Sequence, residues 1–263
     1  MKCIICQNDS LENFIEEIKV LKCKKCELVF DNSNNIKPYP KISHQNKILV
    51  KIQLKFSQIL AEQYMKYLKK HHNINNFKRV LDIGCGFGSF VKLINNKNCQ
   101  AYGIESNEDT IIQGKLKHLK HITFDETFKE KKFDLVCLHQ SLYYFQDSLM
   151  ILEKVRTILN EGGLVFIANP NMSSKIRNDH LVWPTGSKMC LSKINFKELK
   201  GLKLIDYTAY TDQFYKEYLL TKKIKKSKTI LGIKSILYLL KIKKLVKYTE
   251  NGMNNFILLK KYT

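Results

Sequence analysis

Arginine is nearly missing from this 263-residue chain: Arg79, Arg156 and Arg177 are the only three, so lysine supplies almost all of a formal charge of +21. Surfaces that read nucleic acid favour the bidentate guanidinium fork, and these three arginines form no cluster. The charge therefore reads as solvated lysine before it reads as a dedicated RNA surface, and an anionic small substrate suits it equally well. No run of about 20 apolar residues occurs, which speaks against a transmembrane helix. The opening residues, Met1 to Cys6, lack the long apolar stretch of a signal peptide, so the expected location is the cytoplasm. What is present is 44% apolar and 11% aromatic residues, enough to bury a sizeable core. The length leaves room for one full α/β domain and a small appendage.

The eight cysteines fall into two groups. Cys85, Cys99, Cys137 and Cys190 are scattered and read as small apolar residues of a reducing compartment. Cys3-x-x-Cys6 and Cys23-x-x-Cys26 sit together, with sixteen residues between the pairs. Two such pairs suit one tetrahedral Zn²⁺, each turn delivering two thiolates; two disulfides or four free thiols are the competing readings. Four protein ligands would close the coordination sphere, making the metal structural. Gln7 and Glu27 stand where a glycine often follows the second cysteine, so a left-handed position there would be costlier. A zinc-ribbon-like domain is thus expected over residues 1–40, with Glu27 to Phe30 as a strand and the Asn/Pro-rich stretch from Asp31 to Pro40 as a linker.

The remainder, 41–263, alternates helical and strand patterns. Apolar residues recur at helical spacing from Lys47 to Lys70. Arg79 to Ile83 is an apolar strand run, followed at once by Asp82-Ile83-Gly84-Cys85-Gly86-Phe87-Gly88 and a helix beginning at Phe90. Strand, glycine turn and helix in that order make a nucleotide-binding unit. Further strands are expected at Ala101–Glu105, Ile122–Phe124, Phe133–Leu138, Gly163–Ala168, Leu202–Tyr207 and Asn255–Lys260. They imply a Rossmann-like α/β fold, a doubly wound seven-stranded sheet with helices on both faces and its ligand at the C-terminal strand edge.

A lone glycine pattern fits several cofactors. Here Glu105 ends the second strand, 21 residues beyond Gly84, where a carboxylate can accept the ribose hydroxyls of an adenosine cofactor. The glycines fall as Gly84-x-Gly86-x-Gly88, with Ser89 where a dinucleotide site would place its third glycine. No second βαβ half follows the fifth strand. In these features residues 47 to 263 resemble the class I S-adenosylmethionine-dependent methyltransferases. Phe133 to Val136 followed by Leu142 to Asp147, and Leu159 to Gly163 followed by Asn169-Pro170-Asn171, extend the likeness. The resemblance implies that Asp82, Gly84, Cys85, Gly86 and Gly88 surround the methionine moiety, with Glu105 and Ser106 at the ribose. It also implies Asp125 and Glu126 near the adenine, and His139 beside the cofactor.

Methyl transfer from a sulfonium is an in-line displacement, so catalytic candidates are the groups that position the acceptor or take its proton. His139, His180 and Tyr144 are the candidates, and Trp183 would help wall the substrate. Tyr144 stands where many relatives carry a histidine. The blander readings are hydrogen bonding near the cofactor for His139, a surface loop for His180 and core packing for Tyr144.

Between the sixth and seventh strands, residues 214–248 form a lysine-rich insertion, with eleven lysines from Phe214 to Lys247. It is expected to be helical and buried against the sheet edge or a second copy, with peripheral contact to an anionic membrane as the alternative. A ribbon ahead of such a domain is similar to bacterial methyltransferases of sugars and surface polysaccharides, implying O-methylation of a small carbohydrate-like or phosphorylated acceptor in capsule biosynthesis. It is also similar to ribosomal RNA base methyltransferases, which commonly use a histidine ligand that this ribbon lacks. An RNA partner and a non-catalytic module binding S-adenosylmethionine stand as the rival readings.

Overall fold

The computed structural model describes residues 1–33, 47–114, 119–120, 132–174, 186–212, 246–250 and 252–262. Three short strands open it: β1 (Leu11–Ile15), β2 (Val20–Cys23) and β3 (Val29–Asp31). The 25-residue helix α1 (Lys47–His71) leads to β4 (Arg79–Ile83), α2 (Ser89–Ile94), β5 (Gln100–Ile104), α3 (Glu108–Gly114) and the two-residue β6 (Leu119–Lys120). Next come β7 (Phe133–His139), α4 (Ser148–Ile158), β8 (Leu159–Pro170), β9 (Met189–Cys190) and α5 (Lys193–Lys197). The strands β10 (Leu202–Asp212), β11 (Val246–Tyr248) and β12 (Asn254–Lys261) finish the chain.

Eight strands form the main sheet in the order β11-β10-β12-β8-β7-β4-β5-β6. From β8 to β6 the neighbours are parallel, whereas β12, β10 and β11 are added antiparallel. Successive residues of a strand point to opposite faces, so a sheet covered on both sides needs apolar residues at every position. The central strands meet that demand. On β8, Leu164, Phe166 and Ala168 pack into one core with α1 and α2, through Tyr64, Tyr67, Leu68, Phe90 and Val91. Val165 and Ile167 join the opposite core, with Ile151, Leu152 and Val155 of α4. Truncating Phe166, fully buried against the α1 face, would cost about 3–5 kcal/mol by the usual cavity penalty. Helix α4 starts where the Asp147 side chain accepts from Met150 N at 2.9 Å, an N-cap that fixes its first turn.

The N-terminal strands do not stand apart. Strand β3 pairs antiparallel with β9, from the segment after β8, giving a second sheet in the order β1-β2-β3-β9. Cys3, Cys23, Cys26, Leu28 and Phe30 lie in the same buried cluster as Leu138, Leu142 and Ile257 of the main domain. Ser192 ties the two together: it caps α5 and donates its hydroxyl to Cys26 O at 2.7 Å.

The expected sheet is found with one strand more. Residues 246–248, assigned from sequence to the end of a helical insertion, instead form β11, paired with the exposed edge of β10 at Tyr210↔Tyr248. Apolar residues flanked by lysines suit a short edge strand as well as a helix, and periodicity over three residues cannot separate them. The rest of the insertion, and the strand expected at Ile122–Phe124, lie outside the described residues; the observed β6 falls just before the latter. Among the described residues no helix is long and apolar enough to cross a membrane.

Candidate functional site

Strand β4 delivers the glycine loop to the C-terminal edge of the parallel strands. Gly84 N and Cys85 N both donate to Ile104 O at the end of β5, at 2.8 and 3.1 Å. The loop turns through the left-handed region at Gly84 (φ +71°) and Gly86 (φ +55°), where a side chain is disfavoured. The two glycines serve different purposes. A Cβ at Gly84 would lie 2.5 Å from Ser141 Cβ, so this position is small because the end of β7 presses on it. Ser141 Oγ in turn donates to Ile83 O at 2.6 Å, and no signal short of the folded contact marks this residue in the sequence. A Cβ at Gly86 would meet nothing within 4 Å, so Gly86 borders open space.

Glu105 follows β5 at that space. Its Oε2 accepts from Gly86 N at 2.9 Å and its Oε1 from Asn107 N at 2.9 Å, so the carboxylate fixes the loop while half-buried. Ser106 is exposed, with its hydroxyl 3.4 Å from Glu105 Oε1. Cys85 lies inside the loop; burial, then Asp82 and Glu105, hold its thiol well above its ordinary range, so it stays neutral. Gly88 opens α2 as its left-handed N-cap.

Asp82 and His139 face each other across the ends of β4 and β7. His139 Nδ1 lies 3.3 Å from Asp82 Oδ1, yet the two are not aligned as a hydrogen bond, and both imidazole nitrogens and Asp82 Oδ1 are buried without one. Buried polar atoms left unmatched carry a desolvation cost and ask for an explanation. Tyr64 of α1 roofs the imidazole, with ring centroids 4.3 Å apart and planes 16° from parallel, while Phe90 and Phe166 meet it edge-on. Burial, then Tyr210, Asp212 and Asp82, hold the Tyr64 hydroxyl far above its ordinary pKa, so it remains a donor. The Tyr210 hydroxyl accepts from Gln140 Nε2 at 3.1 Å. Tyr143 donates to Gln140 Oε1 at 3.2 Å. Gln140 itself adopts φ +56°, a strained position for a non-glycine residue at a strand exit.

Of the residues singled out from sequence, Asp82, Gly84, Cys85, Gly86, Gly88, Glu105 and His139 converge on one edge. Tyr144 is 36% exposed and stacks at an angle on Tyr143, away from the buried contacts of His139. Asp125, Glu126, His180 and Trp183 lie outside the described residues.

The cysteine set forms a second site. The four Sγ atoms of Cys3, Cys6, Cys23 and Cys26 lie within 4.8 Å of one another, and Cys3–Cys26 and Cys6–Cys23 are each 3.6 Å apart. A tetrahedron with Zn–S bonds of about 2.3 Å has edges of roughly 3.8 Å, so the donor set fits one such ion. The two knuckles repeat one geometry: Gln7 N donates to Cys3 O and Glu27 N to Cys23 O, at 3.0 and 2.9 Å. Gln7 and Glu27 take φ of +56° and +57°, the left-handed positions the sequence pattern called for. Burial pushes the Cys3 and Cys26 thiols up, Cys26 to about 12; at Cys23 the backbone N–H groups of Cys26 and Lys25 overcome burial and bring it down to about 7.

Fold and site together define a doubly wound domain with an adenosine-cofactor type of glycine loop and acidic partner. A methyltransferase-domain family model matches residues 54–205, more than half of the chain, and the chain belongs to that family. An uncharacterized protein of Methanocaldococcus jannaschii is 31% identical over 133 residues, 49% of this chain and 57% of that protein. A ubiquinone biosynthesis O-methyltransferase of Histophilus somni is 24% identical over 125 residues, 42% of this chain and 52% of the relative. The chain thus spans about half the length of these curated relatives. Among solved structures, a SAM-dependent methyltransferase of Archaeoglobus fulgidus superposes with a TM-score of 0.52 at 16% identity, covering 82% of this chain and 100% of that one. An O-methyltransferase from a trans-AT PKS multienzyme of Brevibacillus brevis, in complex with S-adenosyl-L-homocysteine, gives 0.51 at 15% identity over 88% and 85%. These two establish likeness of fold.

Proposed function

We propose that the chain is an S-adenosylmethionine-dependent methyltransferase that O-methylates a small carbohydrate-like or phosphorylated acceptor in surface-polysaccharide or capsule assembly. The observation that carries the donor is the open space at Gly86, bordered by the Glu105 carboxylate. A sulfonium cofactor with ribose hydroxyls suits that space, since it brings donors to the Glu105 carboxylate. When bound, it supplies the methyl group as an electrophile.

The protein's share of the chemistry is positioning and proton removal. Gly86 admits the cofactor to the backbone, and Glu105 would keep the loop in place while accepting ribose hydroxyls. His139 is the candidate base: Asp82 lies beside Nδ1, Tyr64 fixes the ring plane, and neither ring nitrogen has a hydrogen-bonded partner among the described residues. Nε2 is buried beneath the Tyr64 ring, so an acceptor hydroxyl would reach it only once the covering side chains move. Support for the acceptor class comes from the O-methyltransferase relative, from a formal charge of +21 and from a ribbon whose four candidate ligands are all cysteine. That same all-cysteine set favours this reading over ribosomal RNA methylation. The ribbon would hold a structural zinc.

The test is a methyl-donor assay of the purified chain against nucleotide sugars and phosphorylated metabolites, read by mass spectrometry. A product 14 mass units heavier (roughly one added CH₂) is expected from a sugar hydroxyl. Absence of calorimetric S-adenosylmethionine binding would remove the donor reading, and methylation confined to RNA would remove the acceptor reading.

A further inference from the structure

Between the ribbon and the antiparallel end of the main sheet lies a cavity of about 830 Å³, bordered by Glu27, Asn171, Lys193, Tyr207, Glu250 and Asn255. None of these residues takes part in the glycine-loop site. The floor is built from a side-chain pair on adjacent strands. Asn255 is 1% exposed and its Nδ2 donates to Tyr207 Oη at 2.6 Å, while its Oδ1 has no hydrogen-bond partner. Because Tyr207 Oη receives that bond, its own proton is left to donate elsewhere. Burial, then Glu27 and Cys190, raise Tyr207 far above its ordinary pKa, so that proton is retained. Rotating the amide would exchange which atom is unmatched without removing the deficit.

The rim adds charge of a sign unlike the rest of the chain. Glu27 and Glu250 form no ion pair among the described residues, and Lys193 Nζ sits 5.4 Å from the centroid of the Tyr207 ring. Among the described residues, two carboxylates and one ammonium line the cavity, a formal charge of −1 on a chain of +21. Glu27 also occupies a left-handed backbone position at φ +57° that glycine would take with less strain. The hydroxyls of Ser173, Thr208, Tyr248 and Thr249 complete the lining, so the cavity offers both donors and acceptors beside its two carboxylates. A lining of mixed donors and acceptors with net negative charge matches a neutral polyhydroxyl ligand better than a phosphate.

We propose that this cavity binds a sugar ring through its hydroxyls, as a secondary saccharide subsite of an extended acceptor whose methylated hydroxyl and any phosphate are held elsewhere. The inference rests on the carbohydrate reading of the acceptor and places that subsite at a surface shared by the ribbon and the sheet.

Saturation-transfer NMR on the full chain, with methyl α-D-glucopyranoside and glucosamine as probes and glucose 6-phosphate as the anionic counterpart, tests the assignment. The two uncharged-or-cationic sugars are expected to receive saturation more strongly than the phosphate. Asn255→Ala and Glu27→Gly are each expected to weaken sugar binding at least tenfold while S-adenosylmethionine affinity stays as in the parent. Glu27→Gly guards against misfolding, because it relieves backbone strain and its melting temperature is expected to hold or rise. Equal sugar binding by both variants, or tighter binding of the phosphate, would overturn the cavity assignment. A wild-type chain that methylates a sugar while both variants keep its KM would overturn it too, leaving the methyl-transfer reading intact.

Discussion

Replacing Gly84 and Gly86 separately by alanine tests whether the glycine loop is shaped for packing at one position and for a ligand at the other. Both residues have positive φ, which costs an alanine about 1–2 kcal/mol. At Gly86 nothing else is added, because the new methyl group faces space empty of protein to 4 Å. The expected stability loss is therefore about 1–2 kcal/mol, a fall in Tm of roughly 2–8 °C for a chain of this size. At Gly84 the methyl group would stand 2.5 Å from Ser141 Cβ, and Ser141 is buried and tied to Ile83 O, so it cannot swing aside. Overpacking of that kind adds about 1–3 kcal/mol, bringing Gly84→Ala to about 2–5 kcal/mol. Cofactor affinity should order the variants differently. Gly86→Ala is expected to weaken S-adenosylmethionine binding at least about tenfold, or 1.4 kcal/mol, by filling the approach to the backbone. Thermal denaturation with calorimetric titration measures both quantities. Wild-type affinity in Gly86→Ala would refute the placement of the cofactor at this loop. A Gly84→Ala variant no less stable than Gly86→Ala would refute the packing argument.

Glu105→Ala removes the acceptor of two backbone N–H groups and is expected to lower S-adenosylmethionine affinity by about 2 kcal/mol, roughly thirtyfold by titration, with Glu105→Gln losing less. His139→Gln should cut kcat for methyl transfer about 10²-fold or more while leaving donor binding near the parent value, and an unchanged kcat would end its role as a base. At Asp134 burial works to raise the pKa, but the N–H groups of Arg79 and Lys78, helped by Asn160, outweigh it and hold the carboxyl below its ordinary 3.8. Its stabilising contribution is thus fully present above pH 3.8 and lost as pH falls through the lower folded value, so Asp134→Asn should melt earlier at pH 7, with the gap closing below about pH 4. Cys26→Ser should abolish stoichiometric zinc in metal analysis and lower Tm, and a Tm unmoved by metal removal would show that the ribbon needs no ion.

The parts legible in the sequence are those whose chemistry is local. The glycine loop, its acid after β5 and the paired cysteines are each fixed by residues a few positions apart, so spacing alone implies the geometry. Left-handed backbone at Gln7 and Glu27 followed from the knuckle turn in the same way. What spacing could not supply is contact across the fold. Tyr64 stacks on His139 only because α1 is laid over the ends of β7 and β8, and α1 reads from sequence as an amphipathic helix with no stated partner. Ser141 looks like any turn residue until β7 brings it against Gly84. Gln140 gives no hint of its positive φ, since neither its type nor its neighbours favour that conformation. The two-residue β9 is too short to carry a period, yet it joins the ribbon to the rest of the protein.

That junction bears on what the ribbon does. A boundary after residue 40 divides the sequence, but the buried cluster runs unbroken from Cys3, Cys23 and Cys26 to Leu138 and Ile257 of the main sheet. A short cysteine-bound segment has too little apolar surface to hold itself together, and here it borrows the flank of the larger domain. Ser192 makes the dependence mutual: one hydroxyl both receives the N–H groups that start α5 and donates to the carbonyl of Cys26. Disturbing the knuckle therefore disturbs the start of α5, whose first residue, Lys193, borders the polar cavity, as does Glu27 on the knuckle itself. The donor loop at β4 and β5 is anchored by its own backbone bonds to Ile104 and by Glu105, which involve no residue of the ribbon. The cysteine site thus bears on the antiparallel half of the sheet, and the glycine loop is built without it.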